Sequence, residues 1–138
     1  MRRFLLALVA FCVIAAGLAV HALAPDGFVG DAAGDALYAV LIYLLVAFVF
    51  PRWPVWASGG VALAWCTAIE FFQLTGLPEL WGMAFRPLML VFGTVFSWWD
   101  IVMYSAGVAI AVVVDSIIRM AGRARRRSAE RIASRADR

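Results

Sequence analysis

The sequence predicts an all-α, polytopic integral membrane protein with four transmembrane helices and a short interfacial or re-entrant segment before the fourth. Three observations carry that prediction. Hydrophobic residues make up 65% of the chain and the mean hydropathy is +0.92, against roughly 45–50% apolar residues in soluble domains. Apolar runs recur along the 138 residues at lengths that approach or reach what is needed to cross ~30 Å of hydrocarbon. The twelve basic residues are all Arg, and eight of them lie within 119–138, so the charge is gathered at one end of the chain.

The first run, Phe4–Ala24, carries no formal charge and would extend ~31 Å as a helix. Ala22-Leu23-Ala24 resembles a signal-peptidase site. The apolar stretch is long for a signal, however, and Pro25 would follow the cut, so the run is expected to stay as a span. Pro25–Gly34, with Asp26, Asp31 and three glycines, has the composition of a polar turn. The second span, Asp35–Phe50, is charge-free over only ~22 Å of helix. Its helix is therefore expected to begin at or before Asp35, or to thin the bilayer locally. Pro51-Arg52-Trp53-Pro54 closes it. The third span is Val55–Leu77, closed by Gly76 and Pro78. Leu88–Phe96 is apolar but too short to span, and is the expected interfacial or re-entrant segment. The fourth span is Ile101–Ile118. The chain thus divides into a four-helix transmembrane domain, 1–118, and an Arg-rich tail, 119–138.

Orientation follows from the Arg residues beside the spans. Arg2 and Arg3, Arg52, and the tail fall on one side after an even number of crossings, and that side is expected to be cytoplasmic. Trp53 and Trp56 then mark the inner interface, and Trp81, Trp98 and Trp99 the outer one, while the mid-span Trp65 is expected to pack.

This orientation places the ionisable groups at one depth. His21 closes the first span, and Asp35 with Tyr38 opens the second. Glu70 and Gln73 lie in the outer half of the third, Asp100 and Tyr104 open the fourth, and Arg86 lies in the loop. Glu70/Gln73, Asp35/Tyr38 and Asp100/Tyr104/Gly107 each form a stripe on one helix face. Gly107 on such a stripe allows close helix approach. An ionised carboxylate near the bilayer centre costs about 2.5–3.5 kcal/mol on insertion scales, so Glu70 should face the bundle interior and find a partner. Arg86, the only basic residue expected on that side, is the natural candidate. The inner half of the bundle carries almost no polar groups. There, Asp115 is expected to pair with Arg119, and Tyr43 to pack. Cys12 and Cys66 lie mid-run, as small buried hydrophobes do, with no disulfide or metal spacing. No cofactor and no metal are expected. The tail fits topology fixation or attraction to anionic lipid. Nucleic-acid binding is not expected, because no folded module accompanies the charge.

Several of these residues carry a family resemblance. Gly34-Asp35-Ala36-Leu37 with Tyr43, Glu70-Phe71-Phe72-Gln73, Arg86, the run Phe92-Gly93-Thr94-Val95-Phe96-Ser97-Trp98-Trp99-Asp100, and then Tyr104 and Gly107 resemble the small bacterial membrane proteins of the domain of unknown function 2809 family, over roughly residues 5–115. Trp98-Trp99 departs from that pattern, in which a single Trp with a polar neighbour is more usual. The chain is similar, more remotely, to VanZ-like proteins, which are associated with resistance to teicoplanin-type glycopeptides. A bacterial inner-membrane location is expected; the resemblance implies an envelope-related role at most, with Asp35, Glu70, Gln73, Arg86 and Asp100 as the shared pattern. It implies no activity, substrate or cofactor.

Two functions follow as expectations. In one, Asp35, Glu70, Gln73, Arg86, Asp100 and Tyr104 form an outer-leaflet site that binds or modifies an amphiphilic or lipid-linked ligand, with Glu70 and Asp100 the candidate acid–base residues. In the other, the same cluster only holds the helices together in a non-catalytic accessory or structural membrane protein. Ion or proton translocation fits less well, for want of polar groups through the inner half. Whether the protein is an enzyme, and its oligomeric state, stay open at this point.

Overall fold

The computed structural model describes residues 2–24, 27–93 and 95–136, and their side chains apart from those at 126, 130, 131 and 133–136. Pro25 and Asp26 of the expected turn, Thr94, and Asp137 and Arg138 of the tail lie outside the described residues. Among the described residues six helices follow in order: α1 (Arg2–Leu23), α2 (Phe28–Val49), α3 (Val55–Gln73), α4 (Leu77–Ala84), α5 (Pro87–Phe92) and α6 (Trp98–Ala136). Among them α1, α2, α3 and α6 are long and apolar enough to cross a membrane.

The second span is not short. Its helix begins at Phe28, so residues 28–34, expected as turn, are helical and carry Asp31 and Asp35 within α2. In hydrocarbon every backbone N–H and C=O needs an internal partner, which outweighs the weak helix propensity of Gly30 and Gly34. Asp31 in the first turn also opposes the positive end of the helix dipole. α3 stops at Gln73, earlier than expected, where Gly76 adopts the left-handed conformation at φ +70° and redirects the chain into α4. The segment before the fourth span is two short helices instead of one apolar stretch, each opened by a proline in its first turn. α6 starts at Trp98 and continues unbroken into the tail, so the expected boundary at 118 is not a break in the helix.

The four long helices do not share one central core. α2 packs against α1, α3 and α6, α3 also packs against α6, and α1 lies along α2 alone. The core is built by Ala39, Tyr43 and Ala47 of α2, Ala62 and Cys66 of α3, and Tyr104, Val108 and Ala111 of α6. Small side chains let these axes approach, as packing within lipid requires. The tightest point is Gly107, where an added Cβ would stand 2.5 Å from the Ala36 carbonyl oxygen. α1 presents Phe4, Phe11 and Leu18 outward, and Cys12, expected to be buried, is exposed on this helix because most of its circumference faces outward.

Candidate functional site

The two ends of the bundle differ in chemistry. The start of α2, the end of α3, the α4–α5 segment and the start of α6 make a carboxylate end. The start of α1, the α2–α3 turn and the far half of the α6 span make an arginine end.

At the carboxylate end Glu70 is the hub. It is fully buried, with 0% of its surface exposed. The Tyr104 hydroxyl donates to its Oε1 at 2.8 Å, the backbone N–H of Ser97 to its Oε2 at 3.1 Å, and the Gln73 amide to Oε1 at 3.4 Å. The same amide nitrogen donates to the Phe92 carbonyl at 2.8 Å. The expected pair with Arg86 is not formed. Among the described residues no ion pair joins them, and Arg86 is exposed at the N-terminus of α5. Local donors meet the need of the buried carboxylate, because α4 and α5 carry the chain past Arg86 and bring Ser97 back onto α3. Gly93 makes that return possible. It sits at φ +63°, and a Cβ there would come within 2.5 Å of the Gln73 amide nitrogen.

Asp35 and Asp100 meet at the same end. Their carboxyls lie close enough to repel one another electrostatically, with Glu70 and Asp31 also in range. Both are half-buried, unlike Glu70. Tyr38 lies one turn on from Asp35 along α2, its ring 6.1 Å from that of Tyr104 and its hydroxyl accepting from the Trp65 indole at 3.3 Å. Trp65, expected to pack, is instead about half exposed and donates this hydrogen bond. Phe28 and Trp99 meet edge-to-face and join α2 to α6 nearby. Of the expected site residues, Asp35, Glu70, Gln73, Asp100 and Tyr104 come together. Arg86 and His21 do not join their hydrogen bonds, and His21 is exposed on α1. No group of His, Cys, Asp and Glu among the described residues has metal-binding geometry.

The arginine end holds a network that the sequence only half disclosed. Arg119 donates twice to Asp115 Oδ2, at 2.8 and 3.1 Å, as the spacing of four predicts. The same oxygen also accepts from Tyr43 at 2.8 Å and Arg2 at 3.2 Å. Arg2 bonds the Pro51 carbonyl as well, and Arg119 the Trp53 carbonyl. The half of the bundle expected to lack polar groups therefore contains an ionic clamp on α1, α2, α6 and the turn at 51–53. Tyr43 packs in the core, as expected, and also bonds Asp115. A tyrosine within the apolar second span and an aspartate near the end of the fourth were the available signals, but neither fixed the register of the two helices.

A helical membrane domain with three tightly packed spans, one peripheral span and a closed network around a buried glutamate is the class that this fold and site define. The chain matches the family described as protein of unknown function (DUF2809) over residues 24–108, more than half of its length, and it belongs to that family. The match begins where α1 ends and stops inside α6, so it is narrower than the expected 5–115 and leaves out α1 and Asp115. No solved structure matches the chain.

Proposed function

We propose that the protein is an envelope-associated inner-membrane protein that holds the headgroup of an amphiphilic or lipid-linked ligand at its carboxylate end, by binding and not by catalysis. One observation carries this reading: Asp35 lies beside Asp100, half-buried, with no basic side chain bonded to either among the described residues. Two adjacent carboxyls at a membrane interface repel unless they share a proton or gain a positive partner. A headgroup amine supplies one, and the exposed Arg86 on the α4–α5 segment suits a neighbouring phosphate. Glu70 is less suited to acid–base work than the sequence implied, since three protein donors already occupy it. The positive-inside rule supports placing this end on the extracytoplasmic side, and the remote similarity to VanZ-like proteins supports an envelope role.

The test is lipid retention by the purified protein, measured by native mass spectrometry. Phosphatidylethanolamine should be retained over phosphatidylglycerol, and Asp100→Asn should weaken that retention about tenfold. Equal retention of both lipids by wild type and variant removes the reading.

The burial of Glu70 favours a second reading, in which the cluster serves only to hold the helices in register. It predicts that Asp35→Asn and Asp100→Asn lower thermal stability in detergent as Glu70 variants do, with lipid retention unchanged.

A further inference from the structure

We infer that the extension of α6 beyond the membrane is a docking rod for an acidic helical segment of another protein. The helix runs for 39 residues without interruption, ~58 Å, of which ~20 residues suffice to cross the hydrocarbon. With Trp98 and Trp99 at one interface, the other falls near Ile118. Arg127 then lies ~13 Å and Ala136 ~27 Å further along the axis. The Debye length at physiological salt is ~8 Å, so a rod leaving the membrane carries its distal arginines beyond the field of its own lipid surface.

The near and far arginines also differ in what they do. Arg119 is committed to Asp115, whereas Arg123, Arg125 and Arg127 are exposed. In the sequence, arginine recurs every fourth residue at 119, 123, 127, 131 and 135. On a helix this repeat makes a stripe that drifts by about 40° per step. Such a stripe complements acidic residues repeating along a facing helix. Fixing topology requires only the positive charge and not a continued helix. A second copy of the same rod is disfavoured by like charge.

The experiment uses the full chain in nanodiscs and two synthetic peptides of identical composition. One has Glu at every fourth position on a helix-forming background; the other has the same residues scrambled. At physiological salt the periodic peptide should bind about tenfold more tightly than the scrambled one. Arg123→Glu and Arg127→Glu should each abolish the difference while leaving thermal stability unchanged, since both side chains lie outside the packed core. Binding should persist when the nanodisc lipid is changed from zwitterionic to anionic. Equal affinity for the two peptides, loss of binding on anionic nanodiscs, or tighter binding of a single-stranded RNA homopolymer would each overturn the proposal.

Discussion

The Tyr104 hydroxyl donates to Glu70 Oε1 at 2.8 Å, and both side chains are buried, at 5% and 0% exposed. That one bond joins α6 to α3 at the end of the bundle where the intervening chain is least regular. Glu70 Oε2 then takes the Ser97 N–H at the start of α6, so one carboxylate fixes both the helix and the loop leading into it.

Replacing Glu70 should therefore act first on that loop. Glu70→Gln can keep one acceptor oxygen for Tyr104 and Gln73, but its amide nitrogen then faces the Ser97 N–H, donor to donor. The expected loss is about 1–2 kcal/mol, with faster hydrogen exchange at Ser97. Glu70→Ala orphans the Tyr104 hydroxyl and the Ser97 N–H, while the Gln73 amide keeps the Phe92 carbonyl, and should cost about 3 kcal/mol or more. Thermal unfolding in detergent and exchange mass spectrometry measure the two effects.

Gly107 should tolerate no side chain. An alanine there would drive its Cβ into the Ala36 carbonyl, 2.5 Å away, and backbone cannot yield as a side-chain tip can. Gly107→Ala is expected to destabilise by about 1–3 kcal/mol, as overpacking does. Gly60→Ala, with nothing within 4 Å of the added Cβ, should be neutral or stabilising through helix propensity. A matched pair of melting curves checks the contrast.

Asp115→Asn should release the arginine end. It would leave Arg2 without its carboxylate, and α1 is then held by packing along α2 and by the Arg2 bond to the Pro51 carbonyl. Distances between spin labels at the start of α1 and on α6 should broaden, while the packing of α2, α3 and α6 persists. Arg2→Ala should broaden the same distances with a smaller loss of stability, because Asp115 keeps Arg119 and Tyr43.

Four crossings place the start of α1 and the tail on the same side of the membrane. Reporter fusions or impermeant thiol labelling should find both on the cytoplasmic face, and the α4–α5 segment around Arg86 on the opposite one.

Hydrophobic length and Arg placement, both local properties of the chain, determined the number of spans, their approximate positions and the gathering of Asp35, Glu70, Gln73, Asp100 and Tyr104 at one end. Hydrocarbon leaves a segment few options, so composition alone is decisive there. Tertiary structure decided what no local pattern contains. Glu70 is satisfied by Ser97 and Tyr104 instead of Arg86, Tyr43 bonds Asp115, and α1 stands outside a three-helix core. Those outcomes depend on the axial offset and rotation of one helix against another. Contacts such as Gly107 on Ala36 set that geometry, and the periodicity of a single helix carries no information about its neighbour's register.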